Sequence, residues 1–456
     1  MNKRRYNALW IGILLAVGPL AGPGKLAAAT KPAPFQFGSY GRLSASSNTT
    51  GGRGKRISVV RYSPRLLEGA YTELDFGYEQ EAGTGTVFDT HLTLALGESL
   101  FHFDGNFDSD VAIRNLYLEV KDAGRKGLSL WMGSRMKRGD DVYLLDFWPL
   151  DEQNTLGGGI AYRFGGTRLG AHIGVNQLDD GYQTQRLVVR DEPAGTREVQ
   201  TLERQRSVGS VRAEHQITLT PFYSLKVVGY GEVHHLPSGT WLEVDRNPVE
   251  LSEELGTLLG FQVGVFRRGG GTFMNLFLKM GDGLGAYDEL SVPFEMGAER
   301  RTLGAREYLA ALSANVETTH FGLMSGMCVR YFVDSDSNVF DVDDRLEASA
   351  SIRPVMFLSE HLRLGAELNL QYSRPNGISW ETGTHEIPRV WQAALIPAWA
   401  LGKGAYSRPE LRLVAAVTGL NSAARFTYAP EDPARELPYQ YYVGLGVEWW
   451  FNSSRY

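Results

Sequence analysis

Near the C-terminus, Tyr442 to Phe451 alternates strictly between two kinds of surface. Val443, Leu445, Val447, Trp449 and Phe451 make one apolar face, while Tyr442, Gly444, Gly446, Glu448 and Trp450 make a mixed polar and aromatic one. Side chains on a strand point to opposite sides with period two, so this segment suits a wall between lipid and water. A soluble sandwich also alternates, with its apolar face against a second sheet. The same pattern recurs upstream. In Tyr71 to Glu79, Thr72, Leu74, Phe76 and Tyr78 oppose Tyr71, Glu73, Asp75, Gly77 and Glu79. Leu362, Leu364, Ala366, Leu368, Leu370 and Tyr372 oppose Arg363, Glu367, Asn369 and Gln371, and Leu346, Ala348, Ala350 and Ile352 oppose Arg345, Glu347, Ser349, Ser351 and Arg353. Polar, glycine-rich connections separate such segments at 44–56, 104–110, 179–200, 235–254, 281–301, 334–344, 375–388 and 421–438. Most are too long for hairpin turns and read as outward loops, with tight turns on the opposite side. At about 24 to 27 residues per strand and connection, the chain supports roughly sixteen to eighteen strands, enough to leave an aqueous channel. The predicted fold is all-β, a transmembrane antiparallel barrel.

The N-terminus agrees. Lys3, Arg4 and Arg5 precede an apolar run from Ala8 to Gly22, and Ala27-Ala28-Ala29 offers a small-residue cleavage site, so 1–29 reads as a secretory signal and 30–456 as one barrel domain. The run is shorter than the ~20 apolar residues that a spanning helix needs, and Pro19 and Pro23 interrupt it. Further on, the best helical candidate, Val390 to Leu401, is short and contains Gln392 and Pro397. A closed barrel is then the way to pair every backbone polar group in lipid. The single cysteine, Cys328, excludes an intrachain disulfide. Composition is compatible, with 53 glycines, 21 tyrosines, 21 phenylalanines and 9 tryptophans for turns and interfacial girdles. A mean hydropathy of -0.23 averages a polar and an apolar face, and the formal charge of -6 gives no basic footprint for nucleic acid.

Chemical motifs are sparse. No G-x-S-x-G, phosphate-binding loop or H-E-x-x-H occurs, so the sequence nominates no enzyme site and no cofactor. His234 and His235 fall on opposite strand faces and read as a loop boundary. Asp334, Asp336, Asn338, Asp341, Asp343 and Asp344 resemble a calcium loop, but Val339 occupies the position where that loop needs glycine, and a solvated acidic loop is the alternative. Arg138-Gly139-Asp140 matches an adhesion tripeptide, a match short enough to arise by chance.

From Trp131 to Asp151 the chain resembles the maltoporin family of sugar-specific outer-membrane channels: Trp-x-Gly, a basic cluster, Asp-Val, then Asp-Phe followed by an aromatic. Gly38 to Arg42, Arg65 to Glu73, Ser407 to Pro409 and Glu448 to Trp450 are similar to further family stretches, in family order. The resemblance implies an eighteen-stranded barrel in the outer membrane of a Gram-negative cell, in contact with lipid and lipopolysaccharide. It also implies a homotrimer, with one inward-folded loop narrowing each pore and oligosaccharides as substrate. Tyr40, Tyr71 and Trp450 fall where the family has slide or slide-adjacent aromatics, Phe273 corresponds to another slide member, and Trp148 stands in place of a constriction tyrosine. Arg42, Arg65, Glu73, Arg114, Asp141 and Asp146 fall on the polar track; Gly139 occupies a track arginine's place, with Arg138 one position earlier. The aromatic donated by a neighbouring subunit is Phe103, Phe107 or neither, and Leu346 to Arg353 carries no slide tryptophan. Tyr71 with Glu73 and Trp450 with Glu448 share polar faces, where packing gives an aromatic no reason to be and a pyranose ring does. A general or differently selective porin without a slide is the alternative.

Overall fold

The computed structural model describes residues 34–49, 51–54, 56–83, 85–97, 110–191, 195–293, 302–334 and 339–452. The expected signal at 1–29, Phe103, Phe107, Asp336, Asn338 and the last four residues lie outside them. The described strands are β1 (Phe35–Asn48), β2 (Tyr71–Glu81), β3 (Val87–Leu96), β4 (Val111–Lys121), β5 (Leu128–Arg138), β6 (Glu152–Phe164), β7 (Thr167–Asn176), β8 (Thr184–Asp191), β9 (Gly195–Glu203), β10 (Arg206–Thr218) and β11 (Tyr223–Leu236). They continue as β12 (Gly239–Leu242), β13 (Pro248–Leu251), β14 (Glu254–Arg267), β15 (Phe273–Gly283), β16 (Arg306–Glu317), β17 (Phe321–Val333), β18 (Arg345–Phe357), β19 (Leu362–Pro375), β20 (Arg389–Ala400), β21 (Glu410–Leu420) and β22 (Tyr439–Phe451). Eighteen of them form one antiparallel sheet in chain order, and β22 closes it on β1 in the register Ser39↔Phe451 to Asn48↔Tyr442. The other four form two hairpins, β8–β9 and β12–β13, inside segments whose polar composition reads as loop.

Connections alternate. Those after β2, β4, β6, β10, β14, β16, β18 and β20 are short, whereas those after β1, β3, β5, β7, β11, β15, β17, β19 and β21 are long, so the long ones share one rim. No described helix is long and apolar enough to cross a membrane. The segment Val390 to Leu401 is β20 and its turn, where Gln392 and Ala394 face in and Trp391 and Leu395 face out.

Burial is inverted relative to a soluble protein. Leu364, Leu368, Leu370, Val443, Leu445 and Phe451 lie exposed on the outside, while Glu367, Asn369, Gln371 and Glu448 are buried inside. Hydrocarbon around the outer face is what makes this arrangement favourable.

One part of the wall leaves the barrel. β5 keeps its pairing with β4 only as far as Ser134↔Leu116, and β6 with β7 only as far as Leu156↔Val175. Beyond those points β5 and β6 still pair with each other, from Arg135↔Thr155 to Arg138↔Glu152. The pair is therefore a ribbon that turns into the lumen and carries residues 139–151 with it. Glycines permit the bend: Gly133 has φ of 136°, and a Cβ on Gly157 would collide with the Ile173 carbonyl and the Gly174 backbone.

Candidate functional site

The ribbon's tip holds a short 3-10 turn, Tyr143–Leu145, closed by Asp146 in the left-handed region (φ 51°) and by a bridge between Val142 and Phe147. Val142, Leu145, Phe147 and Leu150 are apolar and pack against Val228, Leu258, Phe277, Leu309 and Cys328, while Tyr143 and Leu144 pack against Met324 and Val355. The receiving residues sit on the inner faces of β11 and β14 to β18. That patch is apolar on the lumen side because it buries the loop.

A second segment enters from the same rim. Residues 57–66, between β1 and β2, run through the lumen with Tyr62 stacked on Phe147 at 4.1 Å and the Arg65 amide donating to the Leu144 carbonyl at 3.1 Å. Gln371 clasps this backbone twice, accepting from Val59 N at 3.0 Å and donating to Ile57 O at 2.9 Å, and Glu347 accepts from Arg61 N at 2.9 Å. From the short-turn rim, the connection between β20 and β21 brings Tyr406 and Arg408 up beneath Tyr143.

Barrel register assembles most of the sequence-derived residues around this junction. Across β1 and β2, Tyr40 opposes Glu73 and Arg42 opposes Tyr71; across β1 and β22, Tyr40 opposes Trp450 and Arg42 opposes Glu448. Tyr40 and Tyr71 lie 6.0 Å apart with Arg42 over the Tyr71 ring. Arg114 is a bulged residue, skipped in the pairing of β3 with β4 between Leu94↔Ile113 and Thr93↔Asn115, and the bulge aims it at Tyr71 and Glu73. Arg65 donates to the Tyr40 hydroxyl at 2.7 Å and to Glu448 at 3.2 Å, and Arg42 reaches Asp146 at 3.5 Å. Glu448 also accepts from the Tyr143 hydroxyl at 2.7 Å and from Arg408 at 2.8 Å.

Aromatic rings continue from this cluster. Trp450 meets Tyr143 at 6.1 Å, Tyr143 meets Tyr406 at 5.1 Å, Tyr406 meets Phe273 at 5.9 Å, and Phe273 meets Phe266 at 6.2 Å. Phe273 thus stands apart from Tyr40 and Tyr71 and reaches Trp450 through two tyrosines. Trp148 sits elsewhere, under the Arg138 guanidinium at 3.6 Å, with Arg138 paired to Glu152 at 2.6 Å. It lines a cavity of about 110 Å³ with Tyr62, Leu150, Glu232, Asp288 and Glu289. His234 is buried between Glu232 and Arg206, and His235 is exposed beside Glu253. Tyr143 and Arg408 lie within the family-like stretches Trp131 to Asp151 and Ser407 to Pro409 without being singled out there, and Tyr406 carries no sequence signal of its own. The apolar inner residues Phe277, Leu309 and Cys328, on strands that should be polar inside, were the available hint that something docks there.

Charges at the tip diverge. Burial pushes the Asp146 carboxyl up, but Arg65 and Arg42 outweigh it and hold the group down to about 2. Asp141 rises to about 6 through burial, reinforced by Asp146 and Asp140 and opposed by Arg65. Glu68 rises to about 7, again by burial, against the pull of Arg65.

An eighteen-stranded closed sheet, apolar outside and charged within, with its lumen narrowed by inward segments, is an outer-membrane β-barrel channel. The LamB porin family model matches residues 35–451, and the chain belongs to that family. No curated protein sequence matches it. Among solved structures it is similar to Pseudomonas aeruginosa OpdQ (11% identity, covering 92% of this chain and 99% of that one, TM-score 0.44). P. aeruginosa OccK2 (OpdF) in complex with glucuronate gives 13%, 91%, 98% and 0.44, and Acinetobacter baumannii OccAB1 gives 10%, 91%, 96% and 0.46.

Proposed function

We propose that this porin passes oligosaccharides of the maltose and maltodextrin type by facilitated diffusion along an aromatic slide flanked by charged residues. The observation that carries this reading is the half-exposed group Tyr40, Tyr71 and Trp450 on the water side of the barrel, beside Arg42, Arg114 and Asp146. Pyranose rings offer apolar C–H faces to aromatic planes, and their hydroxyls reach sideways to charged partners, whose hydrogen bonds are stronger than neutral ones. Tyr406 and Phe273 extend the aromatic surface toward the short-turn rim. Trp148, Arg138 and Asp141 serve as contacts in the narrowed region. A passenger must also leave, so weak successive contacts suit transport, and a millimolar site is worth only about 4 kcal/mol. Assembly as a homotrimer belongs to the same reading, and chemical cross-linking of the detergent-purified protein tests it.

The deciding experiment is ion current through the purified channel in a planar bilayer while malto-oligosaccharides, sucrose and cellobiose are added in turn. Saturable block by malto-oligosaccharides is the expected result. Conductance unchanged by every sugar would replace this reading with a general porin.

A further inference from the structure

The lumen holds cations that the slide does not use. Lys137 lies on the inward ribbon, Arg163 at the end of β6, Arg168 at the start of β7, and Arg135 and Arg212 on β5 and β10. Lys137 reaches back to the wall: a Cβ on Gly170 would lie 3.7 Å from its Nζ. Arg168, Arg135 and Arg212 act on Lys137, opposed by Asp151. Arg163 and Arg168 stand directly opposite each other in the register of β6 with β7, and Arg135 and Arg212 also act on Arg168, opposed by Glu214. Both carboxylates are already engaged, since Arg212 holds Asp151 at 2.5 Å and Glu214 at 3.1 Å. Arg135 is matched by Glu119 at 3.3 Å. Among the described residues, Lys137, Arg163 and Arg168 form no ion pair.

Unmatched like charges repel, and nothing in the wall's packing is gained by collecting them. They are also open to water, with Arg163 and Arg168 at the short-turn mouth beside the turn between β6 and β7. Inner residues of β18 from Glu347 to Phe357 are all buried under the inward segments, whereas Lys137 and Arg168 are half-exposed and Arg163 is exposed. Arg42 and Arg114, beside the aromatics, are 19% and 14% exposed.

We propose that this side of the lumen selects acidic oligosaccharides, pyranose chains bearing carboxylate or sulfate groups, with Lys137, Arg168 and Arg163 as successive contacts for the anionic groups. The inference rests on the saccharide reading and specifies its substrate class. Rings slide on Tyr40, Tyr71 and Trp450 while the acidic groups contact the arginine and lysine side chains of β5, β6 and β7. Guanidinium groups match both carboxylate and sulfate with paired donors.

The test uses the same bilayer recording with three trisaccharide probes: maltotriose, a galacturonate trimer and a sulfated maltotriose. In a KCl gradient the reversal potential should show chloride preferred over potassium. An acidic trimer should block at roughly tenfold lower concentration than maltotriose, the factor supplied by about 1.4 kcal/mol of added attraction. That advantage should shrink between roughly 0.1 M and 1 M KCl, as the screening length falls from about 10 Å to 3 Å. It should also fall in the double variant Lys137→Gln/Arg168→Gln; if that variant does not assemble, the wild-type comparison and the salt series decide. A galacturonate advantage without a sulfate advantage, or the reverse, names the acidic group. Equal block by acidic and neutral trimers, or preference for potassium, overturns the inference and leaves the saccharide reading standing. No block by any of the three removes both.

Discussion

Glu448 shows how a single side chain can organise a constriction. It receives the Tyr143 hydroxyl and the guanidiniums of Arg65 and Arg408, so a segment from each rim is tied to one carboxylate on β22. Removing its charge leaves Arg65 to Glu68 at 3.1 Å and Asp146 at 3.7 Å and leaves Arg408 to Glu410 at 3.5 Å, so the cost falls below the about 3–5 kcal/mol of a fully broken buried pair. Glu448→Gln should therefore loosen the tip, seen as increased open-channel current noise and a lower urea midpoint in vesicles; a quiet channel would contradict this. Tyr71→Ala removes a ring of the proposed slide and should weaken sugar block by roughly five- to tenfold, consistent with about 1 kcal/mol for an aromatic contact. Two raised acids, Asp141 on the ribbon and Glu68 on the segment before β2, give a pH signature. Asp141 and Glu68 are raised to about 6 and about 7, so both carry negative charge at high pH and lose it as pH falls through those values. Asp146, held down to about 2, stays charged throughout. Lowering the pH from roughly 8 to 5 should thus move the reversal potential toward anions, and Asp141→Asn should remove the lower part of that shift.

At the level of elements, the inward ribbon is the feature on which the pore depends. β5 and β6 begin as ordinary wall strands and part from their outer neighbours at Gly133 and Gly157, where any side chain would strike the adjoining backbone. Gly157→Val should push the ribbon out of its bend and widen the passage. Higher single-channel conductance with weakened sugar block is expected, and wild-type conductance would show that the glycine is not the hinge. The glycine run 157–159 is visible in the sequence, but its meaning depends on which strands stop pairing, and that is a property of the sheet.

The whole molecule is a barrel turned inside out, so equivalent substitutions should differ by face. Leu368 lies midway along β19 on the outer surface, 42% exposed, and its neighbour Asn369 is buried inside. Leu368→Arg should destabilise the barrel in vesicles by about 2–4 kcal/mol, the range for a cation at the bilayer midplane. Ser44→Asp, on the lumen face of β1 where it lines a cavity with Arg42 and Arg56, should change ion selectivity with a smaller effect on the urea midpoint. Equal effects on stability would argue against a lipid boundary on the outer face.

Alternation in Tyr71 to Glu79, Leu362 to Tyr372 and Tyr442 to Phe451 was sufficient to derive a barrel, because one face of each strand must meet hydrocarbon and the other water. The spacing of loops set the number of strands within narrow limits, since each crossing of a fixed thickness needs a fixed length of chain. The site was only partly legible. Tyr40, Tyr71, Arg42, Glu73 and Trp450 could be grouped by face and resemblance, but their contacts depend on β22 closing on β1, a pairing between the two ends of the chain. The docking of residues 57–66 over the tip, the hairpins β8–β9 and β12–β13, and the placing of Tyr143 between Arg65 and Arg408 were decided by tertiary structure alone. Periodicity reports which face of a strand is wet; it carries no information about which distant segment fills the space that face encloses.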